Sequence, residues 1–125
     1  MDTLRLSFTD DPDSASIRRS ARRALDGWQT PDLIGDTLVV ITELIHNAVK
    51  HTGDGGELVM IRRSGSVLIE VSDHSSDLPR AYPPDARRIG GRGLMLVAAL
   101  ARDWGSRRVK AGKVVWAQMP TASDN

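Results

Sequence analysis

The chain has no cysteine. That removes disulfide staples, thiolate metal sites and cysteine nucleophiles together, and it fits a reducing compartment. Aromatic residues are scarce at 4%, so the basic surfaces interleaved with aromatics that grip nucleic acid are missing. Lysine is scarce too, 3 residues against 14 arginines. Charge of either sign is not in excess: the net value of +1 provides no global pull toward nucleic acid or membrane. No apolar run approaches the roughly 20 residues needed to cross a bilayer. Met1 to Phe8 alternate apolar and polar residues and do not form the apolar core of a signal peptide. The expectation is a cytoplasmic protein with neither membrane attachment nor direct nucleic-acid contact.

What is present suits one domain. A chain of 125 residues buries roughly two-thirds of its unfolded surface, enough for a core without cross-links. We expect a single domain over 1–120 and a frayed tail over 121–125. Leu4, Leu6 and Phe8 alternate with Arg5 and Ser7, a half-buried strand pattern. Asp11-Pro12-Asp13 reads as a helix start, with an acidic cap at Asp11 and proline at the first helical position. Ile17, Ala21, Leu25 and Trp28 mark one face of that helix, and Arg18, Arg19, Arg22 and Arg23 populate the rest. Thr30-Pro31-Asp32 repeats the start signal for a second helix running to about His51. Its apolar stripe is Ile34, Leu38, Ile41, Ile45 and Ala48, which sends Asp36, Glu43, Asn47 and Lys50 to the opposite side.

Gly53-Asp54-Gly55-Gly56 reads as a loop. Leu58 to Ile61 and Val67 to Val71 read as a hairpin about Ser64-Gly65. Ser72 to Ile89 forms a long polar connection with Pro79, Pro83 and Pro84, of the kind that is functional or mobile in a compact domain. Gly93 to Ala101 is apolar on nearly every side, which predicts a buried helix. Trp104 to Val109 and Lys113 to Met119 close the chain as a last hairpin. The order β-α-α-β-β-loop-α-β-β implies an α+β two-layer sandwich, with helices on one face of a largely antiparallel sheet.

Three short patterns carry possible chemistry. Glu43 and Asn47 stand one turn apart on one helix face. The carboxylate can take a proton, and the amide oxygen can ligate a hard cation such as magnesium. Asp73 ends a strand, where its carboxylate can accept a hydrogen bond from an exocyclic amine. Gly90-Gly91-Arg92-Gly93 opens a helix, where glycines admit an anion to free N–H groups. Arg87, Arg88 and Arg92 flank it, and arginine forks match phosphate oxygens. Each pattern alone equally describes a solvated face, a turn aspartate or a tight helix entry. His46 and His51 are five apart, do not stack on one face and have no third ligand in view, which argues against zinc. The four arginines of the first helix describe either a solvated face or a surface for an acidic partner helix.

In this order and spacing, Glu43…Asn47, Asp73 and Gly91-Arg92-Gly93 resemble the N, G1 and G2 boxes of the gyrase, heat-shock chaperone, histidine kinase and mismatch-repair ATPase (GHKL) superfamily. Glu43 to Thr52, Gly90 to Val97 and Gly112 to Pro120 are similar to its stand-alone bacterial branch of anti-sigma regulatory factors with serine/threonine kinase activity. The resemblance covers roughly residues 30–120. It implies the histidine kinase-like ATPase fold, a mixed, largely antiparallel sheet with three helices on one face, holding ATP and Mg2+ under a lid at about Asp77 to Ile89. It further implies that Asn47 ligates magnesium, that Asp73 holds the adenine amino group, and that Gly91 and Gly93 admit the phosphates. Lys50, Arg92 and Leu94 complete the implied nucleotide-contact set. Glu43 becomes the general base that takes the proton of an attacking serine hydroxyl or water. The implied partners are a sigma factor, an anti-anti-sigma protein, or both, in a branch that often forms homodimers. One departure is plain: the run from His74 to Pro79 has no glycine where the G1 box has them. It leaves open a non-catalytic, ATP-gated binding module.

Overall fold

The computed structural model describes residues 2–73, 92–110 and 112–121. Strand β1 spans Thr3–Phe8, followed by helices α1 (Ser14–Leu25) and α2 (Pro31–Thr52). Strands β2 (Gly56–Arg63) and β3 (Ser66–Asp73) come next, then α3 (Arg92–Leu100), β4 (Asp103–Val109) and β5 (Gly112–Pro120). The sheet order is β1-β2-β3-β5-β4, and every described pairing is antiparallel. The lid expected at about 77–89, Gly90 and Gly91 lie outside the described residues.

Period-two alternation places Leu4, Leu6 and Phe8 of β1, Leu58 and Met60 of β2, Val67, Ile69 and Val71 of β3, and Val115, Ala117 and Met119 of β5 on the helix side. All three helices pack there. α2 crosses β2, β3 and β5 at the centre, α1 lies toward β1 and α3 toward β4. The core is thus one continuous cluster between two layers. The other sheet face carries the ion pairs Arg5–Glu57, at 2.6 Å, and Arg107–Glu70, exposed interactions worth about 0–1 kcal/mol each.

The helix ends follow from local chemistry, with one correction. Asp13, not Asp11, caps α1, accepting the Ser16 N–H at 3.1 Å. Asp11 is diverted into a local turn, its N–H donating to the Thr9 hydroxyl at 3.2 Å, the competition that short polar side chains offer to helix starts. α2 begins at Pro31 as expected and ends at Gly53, whose φ of 65° suits glycine.

Two burial expectations are corrected. On α2 the predicted stripe is buried, but so are Thr37, Val40, Leu44 and Asn47. Its flanks touch α1 and α3 as well as the sheet, so the covered arc is wider than one stripe and Asn47 is not on an open face. On α3, among the residues whose burial is described (94–100), only Leu94 and Val97 are buried, while Met95 and Leu96 are 57% and 44% exposed. A nine-residue helix on the margin of a two-layer sandwich has only one covered side, however apolar the rest of its surface.

Candidate functional site

Asn47 reaches the core side of α2 because it stands one turn beyond Glu43 and two beyond Val40, on a line that α2 buries between its neighbours. Its exposure is 5%, and neither Oδ1 nor Nδ2 has a hydrogen-bond partner among the described residues. Leaving such a group unsatisfied costs about 1–3 kcal/mol. An amide oxygen held dry and unpaired is a suitable donor for a hard cation, which takes oxygen ligands. Glu43 is half-buried one turn earlier on the same face. Lys50 is exposed, three residues further on.

Asp73 is the last residue of β3. It shares parity with Val67, Ile69 and Val71, so the strand delivers its carboxylate to the helix side, where it is 5% exposed. The β3–β5 pairing stops at Ser72↔Val114, and Asp73 is matched only by Gly56 of β2. Here the run Gly53-Asp54-Gly55-Gly56 proves to be more than a loop. A Cβ on Gly56 would stand 2.0 Å from the Ser72 carbonyl oxygen and 3.0 Å from the Phe8 ring. One on Gly55 would stand 2.2 Å from the Phe8 carbonyl oxygen. Glycine at both positions lets β1 and β2 close against the end of β3, holding the strand that carries Asp73. The density of glycines was the only sequence signal.

The remaining predicted residues fall around the start of α3. Arg92 and Gly93 open that helix. Leu94 is 3% exposed within the core cluster, so a ligand contact at this position belongs to its backbone. Gly91 is outside the described residues. α2 packs on both α3 and β3, which places the Glu43/Asn47 helix between the other two patterns. The described part of the site therefore has a metal-suited amide, a carboxylate one turn away, a buried strand-end carboxylate and a glycine-bearing helix start.

Sequence reasoning missed one buried polar network. The Gln29 Nε2 donates to the Pro120 carbonyl at 2.8 Å, while its Oε1 lies 2.9 Å from the Thr37 hydroxyl. That hydroxyl has the Leu33 carbonyl at 2.9 Å as a second acceptor, and its single proton serves one or the other. The network fastens the end of β5 to the first half of α2, the helix that carries Glu43 and Asn47. In the sequence Gln29 reads only as closing the first helix with Gly27, and nothing in that pattern points to its reach to Pro120 and Thr37.

No helix among the described residues is long and apolar enough to cross a membrane. No curated protein matches the chain. Among protein families, residues 8–119 match the Histidine kinase-like ATPase domain, a span running from the last residue of β1 into β5 and taking in all three helices and strands β2 to β4. The chain thus belongs to the histidine kinase-like ATPase domain family and is an ATP-binding domain of that class.

Proposed function

We propose that this domain is a cytoplasmic ATP-dependent serine/threonine protein kinase of the anti-sigma type, which phosphorylates an anti-anti-sigma partner and sequesters a sigma factor. The observation that carries the nucleotide part is the buried Asn47 amide without a partner among the described residues, one turn from Glu43. In this reading Asn47 Oδ1 holds Mg2+, which supplies charge neutralisation at the phosphates. Asp73 accepts a hydrogen bond from the adenine amino group, and the glycines Gly91 and Gly93, before and within the first turn of α3, admit the phosphates. Glu43 takes the proton from the partner's serine hydroxyl as that oxygen bonds to the γ-phosphorus and the bond to the β–γ bridging oxygen breaks, leaving ADP. Positioning and charge neutralisation supply most of the rate in such transfers.

Incubation with Mg-ATP and the cognate partner tests the proposal. The partner becomes phosphorylated, and Glu43→Gln stops the transfer while leaving nucleotide binding intact. Transfer at the wild-type rate by Glu43→Gln overturns the general-base assignment. A second reading, an ATP-gated binding module without catalysis, is favoured by the glycine-free run from His74 to Pro79. Under that reading the partner binds tightly in the presence of Mg-ATP and no phosphate moves to it.

A further inference from the structure

A second feature lies at the other end of the sheet. Gly56, opposite Asp73, begins β2, and Arg62 stands six residues later near its end, roughly 20 Å away at strand rise. Arg62 shares parity with Leu58 and Met60, so it occupies a helix-facing register position, where β2 outruns its cover. With Arg23, Ala24, Gly27 and Trp28 it lines an open cleft of about 270 Å³ between the end of α1 and β2. Trp28 is a buried floor and both arginines are exposed. Neither guanidinium has a hydrogen bond or ion pair among the described residues. Asp2 and Asp26, the acids nearest in the chain or along the strand pairing, form no ion pair with them either.

Two unpaired cations lining one cleft repel each other, and an anion between them removes that cost. The dipole at the end of α1 favours Arg22 and Arg23 in its last turn, but gives no reason for Arg62. Arg18 and Arg19 extend the same charge along α1, with no acid between Ser14 and Leu25. The cleft is smaller than the roughly 300–1,000 Å³ of small-molecule sites, which suits a side chain of a protein better than a free cofactor. Nucleic acid is disfavoured by the near-neutral net charge of +1.

We propose that the Arg23–Trp28–Arg62 cleft docks an acidic protein segment, seating one apolar side chain over Trp28 between carboxylates that pair with Arg23 and Arg62. This site is separate from the nucleotide site, and it stands whether or not the kinase reading does.

A fluorescein-labelled peptide with a central leucine flanked by glutamates, titrated by anisotropy against the full chain, tests the proposal. Binding at low salt should weaken about tenfold at higher ionic strength, because exposed charge pairs are screened. Arg62→Glu should weaken it by a similar factor, and Lys110→Glu, at the remote β4–β5 turn, should leave it unchanged. Arg62→Gln and Arg23→Gln, each checked for native circular dichroism, give the same direction with less perturbation of the fold. Wild-type affinity in the Arg62 variants overturns the proposal, as does equal binding of the peptide with glutamine in place of glutamate. So does an oligothymidylate that binds through Arg62 while the peptide does not, or a homodimer that Arg62→Glu dissociates in sedimentation.

Discussion

At the scale of single residues, Asn47 and Asp32 make opposite use of a polar side chain. Asn47 is a buried amide without partners among the described residues, so it burdens the free fold, and in the proposed reading a ligand satisfies it. Asn47→Leu should therefore stabilise the nucleotide-free chain by about 1 kcal/mol or more, seen as a melting point raised by several degrees. The same change should abolish Mg-ATP binding by calorimetry. Loss of stability in the nucleotide-free state would show that the amide has a structural partner after all. Asp32 is an exposed residue in the first turn of α2 that receives the Thr30 hydroxyl at 2.7 Å. That bond, aided by backbone N–H groups, holds its carboxyl below the usual value of 3.8. A depressed carboxyl contributes stability that is present above its unfolded pKa and lost as pH falls through the folded value. Thr30→Val should move the Asp32 titration upward in a carbon-detected NMR experiment. It should also narrow the stability difference between neutral and strongly acidic pH.

At the scale of elements, the contacts that matter most are those that alternation and amphipathicity do not specify. The strands, α2 and its apolar stripe were all legible, because period-two and helical spacing encode one buried face directly. What escaped was decided by neighbours. Asn47 is buried because α2 lies between α1 and α3, and Met95 is exposed because α3 sits at the margin; neither fact is local. Asp11 read as the cap of α1, but its own N–H is taken up in a turn with Thr9 and Asp13 caps the helix instead. Of the site, Glu43, Asn47 and Asp73 were legible as residue types at a spacing, whereas the glycine closure behind Asp73 needed three strands in register to be seen. Gly56→Ala should destabilise the fold by about 3 kcal/mol, since the new Cβ meets backbone and not a yielding side chain. Denaturant unfolding measures this. Gln29→Leu should cost about 1–3 kcal/mol, because it orphans the Pro120 carbonyl. A double-mutant cycle with Thr37→Val should show coupling, as expected for two groups joined by one hydrogen bond.

At the scale of the whole molecule, one core serves both layers, so unfolding should be a single cooperative transition, as is usual below about 150 residues. Nucleotide should move that transition by mass action. At a hundredfold excess over Kd the gain is about 2.7 kcal/mol, measurable as a melting shift in Mg-ATP that Asp73→Asn removes while Lys113→Glu keeps it. Absence of any shift in the wild type would separate this chain from its family's nucleotide binding. The strand parity of Asp73 has a consequence for how such a protein can vary. Strands present side chains in a two-beat alternation, and Asp73 is in step with Ile69 and Val71. A residue added at the Ser64-Gly65 turn is absorbed in solvent. A residue added inside β3 puts the strand out of step, turning Asp73 to the far face and Ser72 toward the helices. The domain can thus lengthen its hairpin freely at the tip, while the body of β3 behaves as a frame whose count must be conserved for the carboxylate to arrive on the correct side.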